Sequence, residues 1–268
     1  MGFFSHLEER ARTIDSLLCV GLDPHPADLD EATPQAVLDF CLRLINATAD
    51  VAAAFKPNAA FFEAFGVEGI RVLAEVIRAV PDGIPVILDA KRGDIASTAE
   101  AYARAAFTTL QADAITLNPY LGRDSLEPFL SNPDRGVFLL CKTSNPGAAD
   151  LQDLPLAEES TSLKLFEKVA LLAEQWNQRD NLGLVVGATQ VDALASVRAL
   201  VPDLWILAPG VGAQGGDLAK VLEVGLRADG LGLLVPVSRA ISRATDPHQA
   251  AIDLRDAIRA GTQAKLAA

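Results

Sequence analysis

Cysteine, histidine and positive charge are scarce in this chain, and each scarcity excludes something. Cys19, Cys41 and Cys141 are odd in number, widely spaced and set in apolar surroundings. With no CxxC pair among them, neither a disulfide framework nor a cysteine metal site is expected, and a reducing cytoplasm fits. His6, His25 and His248 stand far apart, without the spacing of a metal or nucleophile motif, and are expected on loops or the surface. Lys and Arg are outnumbered by Asp and Glu, giving a net charge of −12. That balance argues against nucleic acid or an anionic membrane as the main partner, so any anionic ligand must meet positive charge gathered locally. Nor is there an apolar run of about 18 residues, as a spanning helix would require. Glu8 and Glu9 interrupt the first twelve positions before a signal-peptide core could form, so a soluble, cytoplasmic protein is expected.

Apolar residues, by contrast, make up 50% of the 268 positions, enough for a sizeable core. Short apolar runs at 17–22, 53–55, 85–88, 114–117, 136–141, 182–186, 204–207 and 231–235 read as strands. Between them lie helical spacings: Val37, Phe40, Cys41, Leu44 and Ile45; Ala99, Tyr102, Ala103, Ala106, Phe107 and Leu110; Phe166, Val169, Ala170, Ala173 and Trp176. Strands that are apolar without alternation imply a parallel sheet covered on its outer face, and eight βα units in roughly 250 residues match an α/β fold of the closed (β/α)8 type. The whole of 1–268 is expected to form one domain. An open doubly wound sheet is the rival. The barrel is favoured because polar residues stand at nearly every strand's C-terminal end, as Asp23, Lys56, Asp89, Asn118, Ser144, Thr189, Gly210 and Ser238. Residues 145–161 read as a long loop after the fifth strand, and the Ala-rich tail after Gly261 as a frayed end.

The densest chemistry lies in Leu88-Asp89-Ala90-Lys91-Arg92-Gly93-Asp94, where a buried strand ends in carboxylates and a lysine at D-x-K-x-x-D spacing. Strand alternation puts Asp89 and Lys91 on one face. Lys56 and Asp23 join them at the mouth. Each alone reads equally well as a satisfied ion pair; four together at strand ends favour function. A lysine held between carboxylates keeps its proton, which disfavours Schiff-base chemistry and favours protonation of a carbanion formed nearby.

After the seventh strand, Pro209-Gly210-Val211-Gly212-Ala213-Gln214-Gly215-Gly216 leads into a helix starting near Asp217, and Ser238-Arg239 follows the eighth. Amides of a glycine loop at a helix N-terminus, with an arginine beside them, suit a phosphate. Loops seven and eight are the usual phosphate site of such barrels. A dinucleotide site is discounted, because no acidic partner stands about 20 residues beyond the near-GxGxxG pattern at a strand end. Asn118-Pro119-Tyr120 and Arg123-Asp124 read as a loop with a helix start, and Trp176 and Trp205 as core positions.

These motifs carry a resemblance. Val20-Gly21-Leu22-Asp23-Pro24, Phe55-Lys56-Pro57-Asn58-Ala59-Ala60-Phe61-Phe62, Asp89-Ala90-Lys91-Arg92-Gly93-Asp94-Ile95, Thr143-Ser144-Asn145-Pro146-Gly147, the glycine loop and Ser238-Arg239 occur in order over nearly the whole chain. In this the chain resembles the orotidine 5′-phosphate decarboxylases, in their longer bacterial form. The resemblance implies a carboxy-lyase that makes UMP in the last step of pyrimidine nucleotide synthesis, with neither cofactor nor metal. It implies a Lys56, Asp89, Lys91 and Asp94 array in which Lys91 protonates C6, Asp89 faces the departing carboxylate and Lys56 holds the array and a ribose hydroxyl. It further implies Asp23 on the ribose, Ser144 on the pyrimidine edge, Gln214 between base and phosphate, and Arg239 with the backbone near Gly212 on the phosphate. Asp94 and Thr98 would reach into a neighbouring subunit's site, making a homodimer. Val235-Pro236-Val237 departs from the smaller or more polar residues expected before Ser238.

Two rivals remain. The hexulose phosphate synthases and ketogulonate phosphate decarboxylases share D-x-K-x-x-D but need magnesium and carry an acidic residue at the end of the second strand. Here Lys56 stands there and would repel a divalent cation. A barrel that binds nucleotides through Gln214 and Arg239 without turnover is the other, disfavoured by the intact array.

Overall fold

The computed structural model describes residues 1–156, 163–212 and 215–267. Eight strands carry the fold: β1 (Leu18–Leu22), β2 (Ala54–Pro57), β3 (Ile87–Arg92), β4 (Ala114–Leu117), β5 (Gly136–Lys142), β6 (Leu182–Val186), β7 (Ile206–Leu207) and β8 (Leu233–Val237). They pair in parallel in the order β2-β1-β8-β7-β6-β5-β4-β3. Bridges Phe55 to Val86 and Asn58 to Asp89, with the Phe55 amide 2.9 Å from the Pro85 carbonyl, draw the two ends of that row together into a barrel. The expected (β/α)8 class is therefore the observed one, and β1, β2, β4, β6 and β8 are buried along their whole length.

Local sequence explains the helices, among which α3 (Ala59–Glu63), α4 (Gly66–Ala79), α6 (Glu127–Leu130) and α10 (Arg239–Ser242) take their places in chain order. In α2 (Pro34–Thr48), Thr33 accepts the Ala36 amide at 3.2 Å and proline fills the first turn, while Val37, Phe40, Cys41, Leu44 and Ile45 are buried as their spacing requires. On α7 (Leu165–Trp176), Phe166, Ala170 and Ala173 are buried and Val169 and Trp176 partly so. On α5 (Ala96–Arg104) the reading is less complete. Ala99 and Ala103 are buried, but Tyr102 faces outward under Arg92, and the helix runs on as a π-turn over Ala105–Thr109. The tail after Gly261 does not fray: α11 (Pro247–Ala267) continues through it. Alanine, lysine and leucine sustain the helix. Gly261 also lets it lie against Leu222, where a Cβ would come within 2.4 Å of a leucine methyl.

Four strands run further than their apolar runs suggest, β5 by the single residue Lys142. β2 extends to Pro57 and β3 to Arg92, so Lys56, Asp89 and Lys91 sit inside strands rather than after them. β8 takes in Pro236, which tolerates its missing amide while its neighbours pair with β1. The first helix, α1 (Phe3–Ile14), closes the N-terminal end of the barrel. Phe4 stacks on Trp205 at 6.1 Å, and Gly136 admits the Phe3 ring where any Cβ would collide. With that end filled, the C-terminal mouth is left for chemistry. None of the described helices is long and apolar enough to cross a membrane.

A buried arginine pins the same floor. From α8 (Val191–Leu200), Arg198 donates to the carbonyls of Gly225, Pro202, Leu204 and Gly232 at 2.7 to 2.9 Å and of Val201 at 3.3 Å. Burial, then neighbouring Arg227, lowers its pKa to about 10, still far above neutrality. Arg198→Met should lower unfolding stability by about 3 kcal/mol, because several buried carbonyls lose a charged donor. Turnover at the opposite end should stay within about twofold of the parent when assayed where the variant is folded. Urea denaturation read beside steady-state kinetics checks both.

Candidate active site at the barrel mouth

β2 and β3 deliver the central charges. Lys56 Nζ lies 2.8 Å from Asp89 Oδ2, and Lys91 Nζ lies 2.5 Å from Asp89 Oδ1. Lys56 and Asp89 are buried, whereas the Lys91 side chain is 48% exposed, so its ammonium is the one that reaches the open mouth. Burial acts to lower the pKa of Lys56, yet the charges of Asp89 and Asp23 and the bond to Asp89 outweigh it and hold the pKa above the ordinary lysine value. For Asp89, burial acts to raise the carboxyl, but the charges and hydrogen bonds of Lys56 and Lys91 hold it well below the usual carboxylate range. The aspartate is thus a fixed anion clamped by two cations.

Asp89 and Lys91 meet, but not by plain alternation. Leu88 pairs with Ile115 and Arg92 with Leu117, so Asp89, Ala90 and Lys91 bulge opposite the single residue Thr116. Lys91 takes a left-handed conformation, φ 48°, at the crest. A bulge of this kind re-aims a side chain, and here it turns Lys91 back onto Asp89.

Beside this trio lies a cavity of about 290 Å³ whose wall includes Asp23, His25, Lys56, Phe61, Ser238 and Arg239. Asp23 Oδ1 and Ser238 Oγ are buried in it with no hydrogen-bond partner among the described residues. Buried polar oxygens without partners are costly, so they mark where a polar ligand would be met. Gly21 is required at this wall, because a Cβ there would stand 2.8 Å from the Ser238 Cβ.

The remaining expected residues are spread around the mouth. Ser144 follows β5 on an exposed turn, with its Cβ 3.1 Å from where a Cβ on Gly187 would lie. Asp94 and Thr98 follow the trio in the chain: Asp94 Oδ1 accepts the Ile95 amide at 2.8 Å, and Thr98 is exposed on α5. Gly212 has φ 74°, a conformation that favours glycine. Its amide donates to the Gly216 carbonyl at 3.3 Å, while the Gly215 and Gly216 amides donate to Gly212 and Gly210 at 2.8 and 3.1 Å. Among the described residues, these three amides, expected to stand exposed for an anion, are spent on carbonyls of the same turn. Gln214 falls outside the described residues. The helix beyond, α9 (Leu218–Gly225), is capped by Asp217, whose carboxylate accepts the Lys220 amide at 3.3 Å.

Sequence reasoning missed three participants. His25, expected merely on a loop, forms part of the cavity wall with its ring 4.4 Å from that of Phe61. Thr116 stands inside an apolar strand, where a lone hydroxyl is the signal that could have marked it. Lys142 at the end of β5 is buried and bonds Asp153 at 2.7 Å, while the Thr143 amide donates to Gln152 at 2.9 Å, tying the following loop to the barrel. That loop is expected over 145–161; it includes a 3-10 turn at Pro146–Asp150, and 157–162 fall outside the described residues. A 3-10 turn at Pro119–Leu121, capped by Asn118, is followed by another at Arg123–Ser125, matching the loop read there. All three cysteines are free and buried, and burial pushes the Cys19 thiol up to about 12. None is poised as a nucleophile.

Against known proteins, the family pattern described as "Orotidine 5'-phosphate decarboxylase / HUMPS family" matches residues 16–254. An orotidine 5'-phosphate decarboxylase of Roseiflexus castenholzii is 51% identical, over 98% of this chain and 100% of that protein. One of an Azoarcus species is 49% identical, over 97% and 99%. Among solved structures, the OMP decarboxylase of Leishmania donovani superposes with a TM-score of 0.91 at 55% identity, covering 98% of this chain and 100% of that one. With pattern, sequence and fold in agreement over nearly its full length, the chain belongs to the orotidine 5′-phosphate decarboxylase family.

Proposed function

We propose that this chain decarboxylates orotidine 5′-phosphate to UMP and CO2 in pyrimidine nucleotide synthesis, without metal or cofactor and in the cytoplasm. The observation that carries the reading is the half-exposed Lys91 side chain held with its Nζ 2.5 Å from the buried Asp89 carboxylate at the mouth of the barrel. In this reading the substrate carboxylate lies toward Asp89, and the bond from C6 to that carboxylate breaks. CO2 leaves, the electron pair remains on C6, and a proton from Lys91 Nζ completes the product; water later returns a proton to the amine. A preorganised ammonium stabilises the developing carbanion more strongly in a closed site than it would in water. Asp89, fixed as an anion, presses on the ground-state carboxylate.

Asp23 would hold the ribose and Arg239 the phosphate, both from the wall of one cavity. Lys56 would bridge the array and a ribose hydroxyl, Ser144 would meet the pyrimidine edge, and Gln214 would lie between base and phosphate. Binding energy from the distant phosphate can then be used to align the reacting carbon. Asp94 and Thr98 would serve the site of a second copy in a homodimer. The exposure of Thr98 on α5 supports that role. Lys56 disfavours a magnesium-dependent reaction, since its ammonium stands where that chemistry needs a carboxylate.

Mixing the protein with orotidine 5′-phosphate should produce a steady loss of the substrate's ultraviolet absorbance, unchanged by a chelator. No loss beside an active control enzyme would reduce the reading to nucleotide binding. Loss abolished by the chelator would return the magnesium-dependent reading.

A further inference from the structure

We infer that Thr116 is a positioning residue for this reaction, locking the β3 bulge so that Lys91 is aimed at the reacting carbon; the inference rests on the reading of Lys91 as the proton donor. Thr116 is 1% exposed, in the middle of β4, opposite the three bulged residues. Its hydroxyl oxygen accepts the amide of Ala90 at 3.0 Å and that of Lys91 at 2.9 Å, and its proton goes to Asp89 Oδ1 at 3.0 Å. A hydroxyl has one donor and two acceptor positions, and all three are used within one turn of the bulge.

Regular parallel pairing would offer main-chain carbonyls to these amides. The bulge removes that option, and the Thr116 side chain takes their place. Main-chain geometry and carboxylate orientation are thereby set by one atom. Lys91 holds φ 48°, a conformation a lysine does not favour, which persists where surrounding bonds over-determine it. Asp89 is fixed at the same time, with Oδ2 on Lys56 at 2.8 Å and Oδ1 shared between Thr116 and Lys91. The β-branched side chain adds stiffness, because its methyl restricts rotation of the hydroxyl away from the bulge. A purely space-filling residue would be as well served by valine, which has the same shape. Valine leaves two partly buried amides and one carboxylate lone pair without the hydroxyl, and the local relief is for β3 to flatten and carry Lys91 with it.

The test compares Thr116→Val with Thr116→Ser, using the full chain and orotidine 5′-phosphate, with Lys91→Ala assayed in parallel. A displacement of about 1 Å at a reacting group can reduce rate by about 100-fold, so Thr116→Val should lose about that much kcat with KM within about threefold. Thr116→Ser, which keeps the hydroxyl, should recover to within about fivefold of the parent. The inference is overturned if Thr116→Val keeps kcat within about twofold of the parent, if serine falls as far as valine, or if the loss is confined to KM. Should the valine variant not fold, Thr116→Ala takes its place against serine under the same criteria. If Lys91→Ala itself keeps turnover, it is the assignment of Lys91 that fails, a result separable from all of these.

Discussion

Lys91→Ala should retain nucleotide binding and lose turnover by on the order of 10⁴-fold or more, since one group supplies both the proton and the charge facing the carbanion. The two contributions are lost together and are not to be added as independent terms. The scaffold should survive the change. Asp89 keeps Lys56 at 2.8 Å and Thr116 at 3.0 Å, and the side chain removed is half exposed. Loss of a rim cation leaves the ribose and phosphate contacts proposed for Asp23 and Arg239 untouched, so UMP binding measured by equilibrium dialysis should change by less than about tenfold. Substantial residual turnover in a folded variant would remove Lys91 from the role of acid.

Lys56→Met should weaken the fold as well as the reaction. It leaves the Asp89 carboxylate buried with one cation instead of two, and removing one partner of a buried pair typically lowers stability by about 3–5 kcal/mol. The pH dependence follows from the direction of each shift. Asp89 has its folded pKa depressed, so its contribution is present above the ordinary aspartate value near 4 and is lost as pH falls through the lower, folded value. Lys56 has its pKa raised, so its contribution is present below the ordinary lysine value near 10.4 and is lost as pH rises through the higher, folded value. The stability gap between parent and variant should therefore be flat from about pH 5 to 9 and close on both sides, as urea midpoints over a pH series would read. A gap below about 1 kcal/mol at neutral pH would mean that water or Lys91 fully replaces the missing ammonium.

The periodicity of apolar residues sufficed for much of the barrel. Val37, Phe40, Cys41, Leu44 and Ile45 are the buried face of α2, and each of the eight apolar runs overlaps a strand, although β3, β7 and β8 begin two residues inside theirs. Boundaries were less legible where polarity and pairing disagree. Lys56 and Asp89 look like strand ends by composition, yet backbone pairing carries β2 to Pro57 and β3 to Arg92. The tail after Gly261 has the composition of a frayed end, but Leu222 gives it a surface to lie on.

For the site, the charged residues and their approximate meeting place could be read from one strand motif and its neighbours, because a barrel brings every C-terminal strand end to one mouth. What the linear order could not contain is how the charges are held. The β3 bulge exists only against β4, and the Thr116 hydroxyl matters only because two amides and a carboxylate converge on it from residues 25 to 27 positions away. Likewise the glycine loop has the composition of an amide nest, but its described donors turn onto its own carbonyls. The sequence by itself determined the barrel, the charges at its mouth and the family; tertiary structure alone decided register, bulge and side-chain direction. Burial periodicity is a local property of the chain, whereas hydrogen bonds across neighbouring strands are set by which residues the closed barrel places opposite one another.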